Sequence, residues 1–194
     1  LQAEARRLFP QAHISMVGNI PQFTVMQQYV ERGQMWSMLL SVLVIGVFLV
    51  LVFSSWKVGL VGMIPNLAPA VIVGGMMGWL DYPLDMMTAS LIPMILGIAV
   101  DDTIHFINHS HVEYNRCGSY ADAIKGTFRT EGLAIVMSTV VVSATFAGFM
   151  SSNATQMVNW GILAVAGMVS ALLADLFLTP VLFKYLRVFG KEKK

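Results

Sequence analysis

Apolar runs the length of a bilayer crossing alternate with short polar connections along most of this chain. A hydrocarbon core of about 30 Å needs about 20 apolar residues per helix. That ruler predicts spans at approximately Met35–Phe53, Val58–Leu80, Met86–Asn108, Gly132–Met150 and Asn159–Leu182. "SSWK", "DYPLD" and "SSNATQMV" make short connections, whereas residues 109–131 form a longer polar link. Within that link Tyr120, Ile124, Thr127 and Phe128 recur at helical spacing behind Ser119, a candidate N-cap. They predict an amphipathic helix over about 119–130, lying on the membrane surface or serving as a solvated linker. Upstream, "AHISMVGNI" alternates briefly and stops at Gly18, as a strand closing an extracytoplasmic domain would. The expected organisation is thus an end-of-domain segment with a helical lead-in over 1–32, an all-α transmembrane bundle over 33–188 and a basic tail over 189–194.

Composition narrows the class. Hydrophobic residues make up 56% of the chain, charged residues 12%, and the mean hydropathy is +0.69, which excludes an ordinary soluble domain. A net charge of +1 provides no basic face for nucleic acid. Cys117 is the single cysteine and no Cys/His group has zinc-type spacing, so neither a disulfide framework nor a metal site is expected. Charge is informative through its sidedness. Lys57, then Arg116, Lys125 and Arg129, then Lys184, Arg187, Lys191, Lys193 and Lys194 fall on one side of the predicted spans. The other side carries Asp81 and Asp85, with Arg6, Arg7 and Arg32 in the N-terminal stretch. The positive-inside rule makes the first side cytoplasmic, with the N-terminus outside and the C-terminus inside. The opening "LQAEARRLFP" lacks an initiator Met and the pattern of a signal peptide, so the expectation is the C-terminal part of a larger protein whose earlier span carried this end across.

Candidate chemistry sits inside the spans. "GIAVDDTIHF" places Asp101 and Asp102 in the third apolar run, where an ionised Asp costs roughly 2.5–3.5 kcal/mol on insertion scales. Adjacent residues diverge by about 100° on a helix, so the pair is not a facing dyad. His105 can reach either carboxylate. One stripe reads Ser90, Gly97, Asp101, His105 and Asn108 and is expected to face the bundle interior, which makes Asp101 the candidate buried site and Asp102 its partner. Asp175 in the fifth run lies sixteen residues beyond Asn159, and Asp101 sixteen beyond Asp85, so both acids should share a depth. Ser138, Thr139 and Ser143 in the fourth run are candidate helpers that could bond a carboxylate or hold a water chain. Gly74, Gly78 and Gly97 fit close helix packing. Pro65 and Pro69 should kink the second span. A carboxyl in such a place can load and release a proton, and one charge moved through the field is worth about 2.3 kcal/mol per 100 mV.

Gly97 followed by three apolar residues, Asp101-Asp102 and His105 resembles the GxxxDD motif of the resistance-nodulation-division (RND) superfamily, especially its MMPL, Patched and Dispatched-like branch. "SSWKVGLVGMIPNLAPAVIVGGMMGW", "YADAIKGTFRTEGLAIVMSTVVVSATFAGFM" and "DLFLTPVLF" resemble the corresponding stretches of bacterial exporters in this branch. The resemblance implies helices eight to twelve of a twelve-helix transporter of the bacterial inner membrane. "DDTIH" would then lie on helix ten, opposite a matching motif of an N-terminal transmembrane half. It further implies proton coupling, with sodium as the alternative ion, and export of lipid-like or other hydrophobic molecules through an extracytoplasmic domain. No other cofactor is expected. The expected partners are the bilayer, the substrate, the N-terminal half and extracytoplasmic domain of the same protein, and in some assemblies further copies. The drug-efflux branch carries its acid pair on helix four and a lysine on helix ten, so this sequence sits closer to the lipid-handling branch. Two rivals remain. A sterol-sensing module without transport would need no titrating acid, and an intramembrane aspartyl protease would need Asp101 and Asp175 to face each other without the usual GxGD sequence.

Overall fold

A computed structural model describes residues 19–190. The helices are α1 (Asn19–Phe53), α2 (Trp56–Trp79), α3 (Met86–Ala89), α4 (Leu91–Cys117), α5 (Tyr120–Thr130), α6 (Gly132–Ala147), α7 (Thr155–Leu173) and α8 (Thr179–Leu186). A 3-10 turn over Gly148–Ser151 follows α6, and a π segment, Ala174–Leu178, joins α7 to α8. Five stretches are long and apolar enough to cross a membrane: Gln28–Phe53, Trp56–Trp79, Met87–Cys117, Gly132–Ser151 and Thr155–Leu186. The fold is therefore all-α, and no strand occurs among the described residues. The strand expected up to Gly18 lies outside them. The lead-in is continuous with the first span inside α1.

Burial separates three core spans from two outer ones. In the most apolar window, half of the residues of the second, third and fifth spans are buried, against 6% and 11% for the first and fourth. Val73 and Met77 of α2, Leu91, Ile95 and Leu96 of α4, and Leu163 and Met168 of α7 form one cluster at the centre. α1 packs along α2, and α6 along α7. The outer faces of α1 and α6, with Leu40, Leu43, Val47, Leu51, Leu133 and Val140 exposed, present the apolar surface that lipid covers. Trp56 and Trp79, both exposed, stand about 35 Å apart along α2, the separation of two interfacial belts.

Lipid is as apolar as leucine, so helices associate in a bilayer through close packing and hydrogen bonds more than through the hydrophobic effect. Glycine makes the close approaches here. A Cβ on Gly59 would meet the backbone of Val50 at 2.8 Å, and one on Gly62 would meet Ile107 Cδ1 at 2.9 Å. On Gly167 it would strike Ile95 Cδ1 and stand 3.0 Å from Val73 Cγ2, at the crossing of all three core spans. The glycines expected to pack are elsewhere: Gly74, Gly78 and Gly97 face open space, and a methyl group added at any of them would meet nothing within 4 Å. Small-residue spacing marks where a helix can approach, and the neighbours within this chain approach on other faces. Pro65 and Pro69 both lie inside α2, which runs helical through them.

The helix that carries the third span continues past Asn108 to Cys117: no Gly or Pro lies between Asn108 and Gly118, which ends the helix with φ 72°. Its polar extension is answered by the following elements: His109 Nε2 lies 2.8 Å from Glu131 Oε1, and Ser110 and Thr127 share a hydrogen bond at 3.1 Å. α5 lies against this extension through Tyr120, Ala123 and Thr127, with Lys125 and Arg129 outward. Ser119 occupies the cap position of α5 without a capping side-chain bond. Asp85, in contrast, caps α3 fully, accepting from Met87 N–H and Thr88 N–H while Thr88 Oγ accepts from Asp85 N–H.

An aromatic clasp holds the chain end to the same corner. Phe189, at the start of the expected tail, stacks on His111 and packs against Tyr114, Tyr120 and Phe183. The Tyr120 hydroxyl accepts from Phe189 N–H at 2.8 Å and donates to Gly190 O at 3.0 Å. Burial pushes the Tyr120 phenol above its ordinary value.

Two outcomes are expected. Gly167→Val should lower stability in detergent by about 1–3 kcal/mol through overpacking, whereas Gly74→Ala should not destabilise; thermal unfolding followed by circular dichroism checks both. Tyr120→Phe should raise hydrogen exchange at the half-buried Phe189 amide by about fivefold to tenfold, the loss of one hydrogen bond worth about 1 kcal/mol. The phenol is neutral in the clasp and its folded pKa is raised, so its contribution is fully present below about pH 10 and is lost as pH rises through the raised value. Exchange at Phe189 should therefore accelerate in strong alkali in the wild type and lack that step in Tyr120→Phe.

Candidate functional site

The acid pair of α4 divides between two environments. Asp101 and His105, one turn apart, point away from the bundle with side chains 77% and 63% exposed, and His105 Nε2 lies 3.8 Å from Asp101 Oδ1. Ser90, Gly97 and Asn108 are exposed on the same stripe. The stripe expected to face the interior is thus an outer face of this bundle, and Asp101 is not its buried acid. Periodicity groups these residues correctly, but it cannot say which side of a helix its neighbours occupy.

Asp102, about 100° around the helix, is half-buried against α6. Ser138 Oγ lies 3.4 Å from Asp102 Oδ1 and also donates to Ile135 O at 2.9 Å; with one hydroxyl proton, it favours the shorter bond. Thr139 is buried and donates to Ile135 O. Ser143 Oγ is buried without a hydrogen-bond partner among the described residues. The three expected helpers on α6 therefore separate: Ser138 reaches an acid, Thr139 serves its own backbone, and Ser143 has no bond.

Asp175 is the buried acid, 2% exposed, and it sits within the π segment. Its Oδ1 accepts from Thr103 Oγ at 2.6 Å and from Thr179 Oγ at 3.4 Å, while Oδ2 has no partner among the described residues. Thr103 Oγ also lies 3.3 Å from Asn66 Oδ1, and Asn66 Nδ2 donates to Gly62 O at 2.8 Å. One polar chain therefore crosses the three core spans at the level of the acid pair, since Thr103 follows Asp102 directly. Asp101, on the outer face, does not oppose Asp175, so the facing pair that a protease needs is not formed between them. Sequence reasoning does not single out Asn66 and Thr103. Their signal is nonetheless present, because an Asn between two prolines and a Thr beside an acid pair are polar residues inside apolar runs.

Five candidate crossings with acids in the third and fifth define a multi-pass membrane protein built around intramembrane polar groups. The chain belongs to the MMPL family, whose sequence pattern matches residues 2–193. This membership is consistent with a module of an RND-type transporter. The chain is also similar to a candidate membrane protein of Methanocaldococcus jannaschii, with 27% identity over 174 residues covering 89% of this chain and 45% of that protein. It spans about half the length of the curated relative it matches. No solved structure matches the chain.

Accessibility tests the division of the acids. In a Cys117→Ser background, which removes the exposed native thiol, Asp101→Cys in detergent should react with a polar thiol reagent at least about tenfold faster than Asp175→Cys. Equal rates would contradict the outward placement of residue 101.

Proposed function

We propose that this chain is the C-terminal membrane half of a cation-gradient-driven exporter of lipid-like or other hydrophobic molecules, with the proton as coupling ion. The observation that carries the reading is the outward stripe of Gly97, Asp101, His105 and Asn108 in a span-length helix. Hydrocarbon gives a carboxylate and an imidazole no hydrogen-bond partners, so such a face is stable only against another transmembrane segment or a water-filled cavity. The N-terminal half of the same protein is the partner that fits, and the open space beside Gly97 leaves room for a helix to approach. Asp101 then lies at the contact between halves, where a proton arriving at the carboxylate changes the charge that the contact must accommodate. His105, one turn away, can accept or return that proton, and Asp102 stands behind Asp101 against Ser138.

The basic end of the bundle, with Lys57, Arg116, Lys125, Arg129, Lys184 and Arg187, faces the cytoplasm in this reading, and the Asp81 and Asp85 end faces outward. For a bacterial protein the membrane is the inner one. Membership of the MMPL family supports transport over an enzymatic role.

The test is ion flux into liposomes holding the complete protein, under an imposed pH gradient and then a sodium gradient. Proton flux should fall about tenfold or more in Asp101→Asn and Asp102→Asn, while the folded protein is retained. Flux that is indifferent to both substitutions would refute the coupling role. Flux that follows sodium alone would replace the proton with sodium.

A further inference from the structure

The Asp175 chain is not used by the outward face, and its hydrogen-bond inventory is incomplete as an ionised site. Thr103 has one hydroxyl proton and two acceptors within reach, Asp175 Oδ1 at 2.6 Å and Asn66 Oδ1 at 3.3 Å. An ionised Asp175 takes that proton, which leaves Asn66 Oδ1 without it and Asp175 Oδ2 as a buried anionic oxygen with no donor. A protonated Asp175 reverses the direction. Its own O–H donates from Oδ1 to Thr103 Oγ, Thr103 donates to Asn66 Oδ1, and Asn66 Nδ2 donates to Gly62 O. The carboxyl proton, the Thr103 hydroxyl proton and one Asn66 N–H then each have an acceptor, and the remaining Oδ2 is a neutral carbonyl oxygen. The 2.6 Å separation is that of a short O–H···O bond and leaves no space for a larger cation between the two oxygens.

Among the described residues, the surroundings supply no counter-charge. α7 contains no ionisable side chain, and α2 carries only Lys57, nine residues before Asn66 and about 13 Å away along the helix. α8 carries Lys184 and Tyr185, both exposed near the basic end. α4 contributes Asp102, the charged group that acts on Asp175, and the outward Asp101 and His105. Asn66, Thr103 and Thr179 are fully buried around the carboxyl.

We propose that Asp175 is a second proton-binding site, internal to this chain, whose bound proton completes a hydrogen-bond chain through Thr103 to Asn66 and so ties the second, third and fifth spans together. The site is separate from the outward face, and Thr103 is the residue after Asp102, so one turn of α4 carries both. Release of the proton leaves Asn66 Oδ1 unsatisfied, makes the undonated Asp175 Oδ2 anionic, and loosens the contact of the three spans at their crossing. The π segment places the acid at that crossing: Thr179 N–H bonds to Ala174 O in place of the usual α-helical acceptor, and Pro180 has no N–H to continue the ladder. The inference rests on the membrane-transporter reading but not on the roles of Asp101 or Asp102.

Infrared difference spectroscopy of the complete protein in lipid nanodiscs reads the site directly. A protonated-carboxyl carbonyl band should persist at neutral pH, remain in Asp101→Asn and Asp102→Asn, and disappear in Asp175→Asn. Thr103→Val should shift the band to higher frequency by removing its hydrogen bond, and Thr103→Ser should restore it. Absence of such a band in the wild type, or its survival in Asp175→Asn, would overturn the proposal. Should Asp175→Asn not fold, the Thr103 pair decides alone: a band indifferent to Thr103→Val is not this carboxyl. The band present with flux indifferent to Asp101 and Asp102 would remove the coupling face and keep this site; the converse would do the opposite.

Discussion

A bilayer offers no hydrogen-bond partners, so each polar group sent into a span must be answered by another span or by water. That constraint organises this bundle. Asn66, Thr103, Asp175 and Thr179 are all buried, and the bonds among them join the helices that also supply the apolar core. Beside this polar layer, Val73, Ile95 and Met168 pack where Gly167 removes a side chain. Close backbone approach and polar satisfaction reinforce one another: the glycine crossing brings the spans near enough for short side chains such as Thr and Asn to meet. Apolar area alone would not select this arrangement, because lipid would cover the same surface equally well.

The outer spans answer to a different solvent. α1 and α6 expose leucine and valine over most of their length, and each rests mainly against one core span, α1 on α2 and α6 on α7. α6 still brings Ser138 to the half-buried Asp102. The acid pair thus stands at a boundary, with one carboxylate toward the bundle and the other away from it.

Much of this architecture is legible in the sequence, and the limits have physical causes. Length and hydropathy place the five spans, since a bilayer's thickness fixes how long an apolar run must be. Equal residue counts place Asp175 at the depth of the acid pair, and the Thr103 bond puts it about 3 Å from that level. What periodicity cannot decide is orientation: Asp101 and Thr103 lie on opposed sides of α4, and only the positions of α2 and α7 make the second side interior. The polar residues after Asn108 read as the end of the apolar run, yet His109 pairs with Glu131 and Ser110 with Thr127, and the helix continues to Cys117. The glycines share that limit, since small residues permit contact without specifying which neighbour makes it. The strand and the early basic residues Arg6 and Arg7 fall outside the described chain.

From Asp101 to Cys117, α4 has neither Gly nor Pro, a stretch of about 24 Å. Such a rod has no joint. A tilt of about 10° at its acid end displaces the far end by about 4 Å, and that end is fastened to α5 by Ser110 and Thr127 and to the chain terminus by His111 and Tyr114. By its length alone, a small displacement at the acid end of this rod would be enlarged at its basic end.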